Sequence, residues 1–295
     1  MTGAEDIAED ISARNQVVVA VDGTTSADAA AAWAGSEAAL HGCGLRIVYS
    51  IGLPSGFGPG LALGNARPDW GRTDGELVLS RAREIAQRAA GRAIDIETDL
   101  SLELITGELI EQSRHARLVV VGSTGKSGRA ALGSVSMAVT RHAHSPVAVV
   151  RDYTESSSRP VLVGVDGSPG GERAMRLAFE EAAARGVGVV AVYAWSDTAG
   201  LALTAFDWDS IADAEYAVLT HWLSPWTEKY PTVAVEPKVV LDDPAGALLT
   251  EAENAQLAVI GSHGRGGFGG MLLGSTAHTV SQSAACPVIV ARPAS

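Results

Sequence analysis

"RLVVVGSTGKSGRAALGSVSMAVTRHAHSPVAVV", residues 117–150, holds a strand, a glycine turn, a helix and a second strand in one short passage. Its two apolar runs are unbroken and rich in valine, a pattern that suits strands covered on both faces in a parallel sheet. Between them, Gly125-Lys126-Ser127 spells the end of a phosphate-binding P-loop. That motif needs another glycine upstream, with four residues between it and the Gly-Lys pair. Val120 stands there instead, inside the first apolar run.

The passage is then written a second time. "QLAVIGSHGRGGFGGMLLGSTAHTVSQSAACPVIV" (256–290) repeats its plan, with Gly264-Arg265-Gly266 where the first copy has Gly125-Lys126-Ser127. The Lys-Ser pair is therefore not repeated, and the P-loop reading fails on spacing and on comparison with its own duplicate. Upstream, "QVVVAVDGTTSADAAAAWAGSEAALHGCGLRIVYSI" from Gln16 is matched by "PVLVGVDGSPGGERAMRLAFEEAAARGVGVVAVYAW" from Pro160. The Asp-Gly pairs lie 144 residues apart and the Gly-Ser pairs that open the loops 139 apart, so the register drifts little. This is a tandem duplication. The reading is a disordered tail over 1–14, a first domain over 15–152, a linker over 153–159 and a second domain over 160–295. The polar, serine-rich "RDYTESSSR" (151–159) marks the seam.

Each half reads β-α-β-α-β-α-β-α-β. In the second half the strands are expected near 160–166, 187–195, 232–241, 256–261 and 287–291. Ser168-Pro169 starts a helix, with serine as the cap and proline in the first helical position. Asp243-Pro244 and Ser145-Pro146 mark similar boundaries. The fold class is α/β: two tandem, open, doubly wound parallel sheets of five strands each. Such sheets bind ligands beyond the carboxyl ends of their strands, where Val-Asp-Gly and the glycine loops both fall.

Composition narrows the function. The 295 residues carry a net charge of −12, which argues against nucleic acid and against an anionic membrane surface. An acidic chain can still hold a nucleotide if backbone N–H groups grip the phosphates. The two cysteines, Cys43 and Cys286, lie far apart with no metal-ligand spacing, and read as buried apolar residues in a reducing compartment. The opening "MTGAEDIAEDISAR" has no continuous apolar run, and no later stretch is long enough to span a bilayer, so the expected location is cytoplasmic.

In the second copy the glycines run Gly261, two residues, Gly264, nine residues, Gly274-Ser275. This Gly-2x-Gly-9x-Gly-Ser/Thr spacing, with Val-Asp-Gly after the first strand and Cys-Pro-Val before the last, resembles the ATP-binding branch of the universal stress protein family. The resemblance covers about residues 15 to 292 and implies a Rossmann-like, nucleotide-binding fold. Physically, Gly261 and Gly264 leave the fourth strand without a Cβ, which lets backbone approach a ribose and phosphates. Gly274-Ser275 opens a helix whose free N–H groups and positive dipole end suit a polyphosphate, with Ser275 and Thr276 in its first turn. Asp166 offers an acceptor for a ribose hydroxyl or an adenine amine. By the resemblance, main chain near Ala194 meets the adenine edge and Ile260 packs close by.

The first copy departs from the pattern. Its candidate set is Asp22, Ser50, Val121, Gly122, Gly125, Gly133, Ser134 and Val135, but only seven residues separate Gly125 from Gly133. The shorter loop either tilts the helix start away from the phosphates or trims an exposed tip. Lys126 and Arg129 would then compensate by charge.

Other residues are read more plainly. His142 and His144 are two apart and do not share a helix face. His263 is within reach of a terminal phosphate or simply solvated. Glu180-Glu181 reads as a solvated helix face, as do the acids of "FDWDSIADAEY" (206–216). Trp208, Trp222 and Trp226 read as anchors of a helix or a subunit contact. The Gly- and Pro-rich stretch over 52–72 is either a lid over the first cleft or an insertion loop.

The function expected is a nucleotide-binding regulator of stress response or growth, holding ATP or another adenine nucleotide, with Mg²⁺ bridging phosphates and no side-chain metal site. Phosphoryl transfer needs a positioned base and charge clamps, and no such pair is repeated in both copies. Slow ATP hydrolysis, nucleotidyl transfer and a nucleotide-free interaction scaffold are the alternatives. The resemblance implies that the two domains pair through their last strands within one chain; a homodimer through other faces and a protein partner of unknown kind are the further expectations.

Overall fold

The computed structural model describes residues 16–52, 69–124, 132–151, 158–195, 208–241, 243–265 and 272–292. The chain divides into two compact units, one up to Tyr153 with the last two residues, the other Thr154–Pro293.

The first unit alternates β1 (Gln16–Ala20), α1 (Thr25–His41), β2 (Gly44–Ser50), α2 (Asp69–Ala90), β3 (Ile96–Ser101), α3 (Ile105–Gln112), β4 (Leu118–Gly122), α4 (Ser134–His142) and β5 (Val147–Val150). Its strands pair in parallel in the order β3-β2-β1-β4-β5. The second unit repeats this with β6 (Val161–Gly164), α5 (Pro169–Arg185), β7 (Val189–Trp195), α6 (Trp208–Lys229), β8 (Val235–Leu241), α7 (Pro244–Ala252), β9 (Leu257–Gly261), α8 (Ser275–Ser283) and β10 (Val288–Ala291). Its order is β8-β7-β6-β9-β10, again parallel. The doubly wound α/β expectation holds in both units.

Local chemistry accounts for the element ends. Thr24 and Ser168 cap α1 and α5 by accepting from the N–H groups of Ala27 and Gly171. Both helices stop at a glycine in the left-handed region, Gly42 (φ 62°) and Gly186 (φ 65°). Asp243 caps α7 ahead of Pro244, as read from the sequence. Ser145-Pro146 differs: it ends the turn after α4 and leads into β5, so it opens a strand and not a helix.

The sheets are packed on both faces. In the second unit Leu162, Val190, Val192, Ala258, Ile260, Val288 and Val290 face α7 and α8 through Ala245, Leu248, Ala277 and Val280. On the opposite side, Phe179 of α5 is fully buried and stacks on Trp226 of α6 with ring centroids 6.1 Å apart. Trp226 is thus the anchor expected. Glu181 corrects the sequence reading: it is 3% exposed and ion-paired with Arg185 one turn on. Its counterpart Glu37 is 2% exposed and lies 3.0 Å from His41. The duplication carries a buried carboxylate and an i+4 basic partner at the same position of both helices, which alanine-rich surroundings hide from a periodicity argument. The lid candidate lies largely outside the described residues.

Candidate functional site at the carboxyl ends of the strands

In the second unit the chain leaves β6 toward β7 on one side, while β9 lies on the other. This reversal of winding opens a crevice at the carboxyl ends of β6 and β9, the usual ligand position in such sheets. Asp166 stands there. Its Oδ1 accepts from the Ser168 N–H (3.0 Å) and the Ser168 hydroxyl (2.6 Å), and its Oδ2 accepts from the Arg265 N–H at 3.1 Å. The carboxylate therefore orders the start of α5 and ties it to the glycine loop after β9. Oδ1 is thus doubly engaged, while Oδ2 keeps a second lone pair for a ligand hydroxyl.

The glycines divide into two kinds. A Cβ on Gly261 would lie 2.8–2.9 Å from the backbone of Gly170, so this glycine admits the first turn of α5. A Cβ on Gly264 would lie 2.4 Å from Asp166 Oδ2. Both are required by the protein's own atoms. Gly274 is not, among the described residues: its φ of −69° and ψ of 155° suit any residue, and a Cβ would meet nothing described closer than 3.5 Å. It is the N-cap of α8 and provides no side-chain cap, whereas α1, α5 and α7 are capped by Thr24, Ser168 and Asp243. Ser275 is exposed beside it and Thr276 half-buried. The helix start is fixed by main chain alone, with Gly274 N–H donating to Ser262 C=O at 2.8 Å.

Ile260 is 3% exposed within the core against α7 and α8, so its side chain forms part of the floor beneath the rim. Ala194 packs at the edge of the same core. Val121 holds the buried position corresponding to Ile260 in the first unit.

The first unit reproduces the frame despite its shorter loop. Gly133 caps α4 with φ −60° and ψ 152°, and its N–H donates to Ser123 C=O at 2.8 Å. These values match those at Gly274, so the deletion leaves the helix start in place. Asp22 Oδ1 accepts from the Thr24 N–H (3.1 Å) and hydroxyl (2.6 Å), as Asp166 does from Ser168. Gly122 faces Ser26 of α1, where a Cβ would lie 2.7 Å from the Ser26 hydroxyl. Ser50, in Ala194's place, donates its hydroxyl to Glu103 C=O. Ser134 is exposed and Val135 packs partly on the core. Gly125, Lys126 and Arg129 lie outside the described residues.

A cationic strap was missed by sequence reasoning. From the glycine loop, Arg265 reaches over Gly167 and lies 5.0 Å above the Trp222 ring and 5.8 Å from the Tyr193 ring. Trp222 and Tyr193 meet edge to face at 5.2 Å. Burial and the neighbouring Glu215 carboxylate push the Tyr193 phenol above its ordinary range, with Arg265 opposing. A signal existed: Lys126 and Arg265 put a cation at the same point of both loops, a repeat overlooked once the Lys-Ser pair was dismissed. His263 lies beside this loop with Nδ1 3.2 Å from the Ser262 hydroxyl.

Two tandem parallel α/β units, each with an acidic residue after its first strand and a bare helix start after its fourth, define a duplicated, crevice-bearing doubly wound protein. Known proteins make the assignment narrower. The universal stress protein family model matches residues 13–151 and again 157–292, and the chain belongs to that family. It is 38% identical over 284 residues to a universal stress protein of Mycobacterium tuberculosis, covering 94% of this chain and 96% of the relative. A universal stress protein of Mycolicibacterium smegmatis is 38% identical over 287 residues, covering 94% and 97%. Among solved structures, a universal stress protein from Archaeoglobus fulgidus superposes with a TM-score of 0.70 at 21% identity over 95% of this chain and 98% of that one, a likeness of fold. No helix among the described residues is long and apolar enough to cross a membrane.

Proposed function

We propose that the chain binds an adenine nucleotide, ATP foremost, in the crevice of its second unit, and that the first unit offers a second site of the same design. The observation that carries this reading is Gly274. Its glycine identity answers to no backbone conformation and, among the described residues, to no packing need, yet it bares the N-terminus of α8 at the switch point of the sheet. Unpaired N–H groups and the positive end of the helix dipole attract phosphate, and a side chain there would block approach. Gly133 repeats the arrangement.

The residues fit a nucleotide in a definite way. The first turn of α8, with the Ser275 hydroxyl, faces phosphate, while Asp166 holds the glycine loop against α5 and offers the remaining lone pair of Oδ2 to a sugar. Magnesium, when present, is carried by phosphate oxygens. In this reading occupancy, and not turnover, is the output. Binding draws on the loop that Asp166 and Arg265 tie to α5 and α6, which gives a route from ligand to surface in a stress-response regulator.

The test is a ligand count. The purified protein is denatured and the released small molecules are identified by mass, with moles per chain; ATP is then titrated into ligand-free protein by calorimetry. Adenine nucleotide at one to two moles per chain, lost in Gly274→Val, supports the reading. No released nucleotide together with no heat and no thermal shift at millimolar ATP ends it.

A further inference from the structure

Arg265 is the one side chain between His263 and Phe268, in the run Gly264-Arg265-Gly266-Gly267. Glycine loses more backbone freedom on ordering than any other residue, so a ligand that must order such a run binds less tightly than one that finds it ordered. The stretch depends on Arg265 for any hold from a side chain, and Arg265 is held at both ends. Its N–H donates to Asp166 Oδ2 at 3.1 Å. Its guanidinium lies 5.0 Å from the Trp222 ring and 5.8 Å from the Tyr193 ring, with Nη1 donating to the Tyr193 hydroxyl at 3.4 Å.

The seat is built into the fold. Gly167 has φ 69°, and a Cβ there would lie 2.5 Å from Trp222 and 2.7 Å from the Arg265 guanidinium, so this glycine clears room for both. Tyr193 is 4% exposed, which fixes its ring as the base of the seat, and Trp222 meets it edge to face. The oxygen that Arg265 engages is Asp166 Oδ2, the one that keeps a lone pair for a ligand hydroxyl. Trp222 on α6 thereby acts on the crevice through a single residue: it holds the side chain whose main chain aims the carboxylate.

The first unit does not repeat the seat. Gly23 follows Asp22 as Gly167 follows Asp166, but a Cβ on Gly23 would meet Val78 Cγ2 at 3.1 Å, a methyl in place of an indole. Tyr49 keeps the place of Tyr193 in the repeated strand. The glycine loop there is tied differently, through the Thr124 N–H, which donates to the Ser26 hydroxyl at 3.3 Å. A cation is attracted by an aromatic face and gains no such attraction from an aliphatic one.

We propose that Arg265 is a positioning residue, seated on Trp222 so that the glycine loop and Asp166 Oδ2 stand ready for nucleotide, and that this seat makes the second crevice the tighter of the two. This rests on the nucleotide reading above. Neither side chain is assigned a contact with the ligand.

The experiment uses the full chain and compares wild type, Arg265→Gln, Trp222→Val and Trp222→Phe by calorimetric titration with ATP, hydrogen exchange at the residue 265 amide, and melting curves. Wild type should bind ATP either at one site or at two of unequal affinity. Trp222→Val, which gives the second unit the aliphatic residue of the first, and Arg265→Gln should each weaken the tighter site about two- to fivefold, the worth of one exposed cation–π contact. The weaker site, where present, should not change. Both variants should speed exchange of the residue 265 amide before ATP is added, a readout that packing lost elsewhere would not single out. Trp222→Phe keeps a ring and should restore most of both effects. Should Trp222→Val melt too low to titrate, Arg265→Gln, altered at an exposed side chain, carries the comparison. Two equal sites in wild type, unchanged ATP affinity in Arg265→Gln, or affinity lost without faster exchange overturns the positioning role and leaves the nucleotide site standing. Tighter ATP binding in Trp222→Val also overturns it, because the rings would then be holding the arginine back from the ligand. If wild type binds no nucleotide, the functional reading fails and the ranking of the two sites falls with it.

Discussion

The Asp166 carboxylate accepts a hydrogen bond from the Arg265 main-chain N–H at 3.1 Å, joining residues 99 apart in sequence. Its other oxygen caps the turn into α5 through Ser168. One side chain thus sets the geometry of two loops that meet at the switch point.

Asp166→Asn should uncouple those loops. Rotated either way, an amide replaces one accepting oxygen with a donor, facing either Ser168 or the Arg265 N–H. Loss of charge-assisted acceptance should lower stability by roughly 2–3 kcal/mol, read by urea unfolding. ATP affinity should fall at least tenfold, since the glycine loop loses its anchor. Unchanged unfolding would show that the turn holds without the carboxylate.

Gly261 and Gly274 should respond in opposite ways to the same substitution. Gly261→Val drives a side chain into the Gly170 backbone and is expected to cost roughly 2–3 kcal/mol. At Gly274 an added Cβ meets no described atom closer than 3.5 Å, so Gly274→Val should melt within a few degrees of wild type while abolishing nucleotide binding. Equal destabilisation of the two would remove the distinction on which the proposed function stands.

Arg265→Ala should alter the emission of Trp222, whose ring it covers at 5.0 Å. The lost cation–π contact is worth about 0.5–1 kcal/mol at such an exposed position. If nucleotide binding moves the glycine loop, ATP should change tryptophan fluorescence in wild type and not in Trp222→Phe. An identical ATP response in that variant would detach Trp222 from the site.

Cys286 sets an alkaline limit. Burial pushes its thiol up from 9.0 to about 11, and burial raises Cys43 as well. The unfolded chain therefore loses the thiol proton first, so this contribution to stability is intact below pH 9 and declines as pH rises toward 11. Urea midpoints should fall across that window, less steeply in Cys286→Ala. At pH 8 neither thiol of the native protein should react with Ellman's reagent within minutes. Rapid labelling of Cys286 would contradict its burial.

Part of the site was legible before the fold was. Asp166, Gly274 and Ser275 were placed at strand ends by pattern alone, and the structure sets them round one crevice. The reason given for the other two glycines was incomplete: they also make room for α5 and for Asp166, a demand invisible until β6 and β9 lie side by side.

The amino-acid order by itself determined the duplication, the β-α alternation, the parallel sheets and the capped helix starts at Ser168 and Asp243. Those follow from interactions within a few residues: apolar run length, cap chemistry and proline placement. Tertiary structure alone decided which glycines the chain needs for itself and that Arg265 lies on Trp222. Each depends on the parallel register of strands far apart in sequence, where a shift of one residue would exchange the partners.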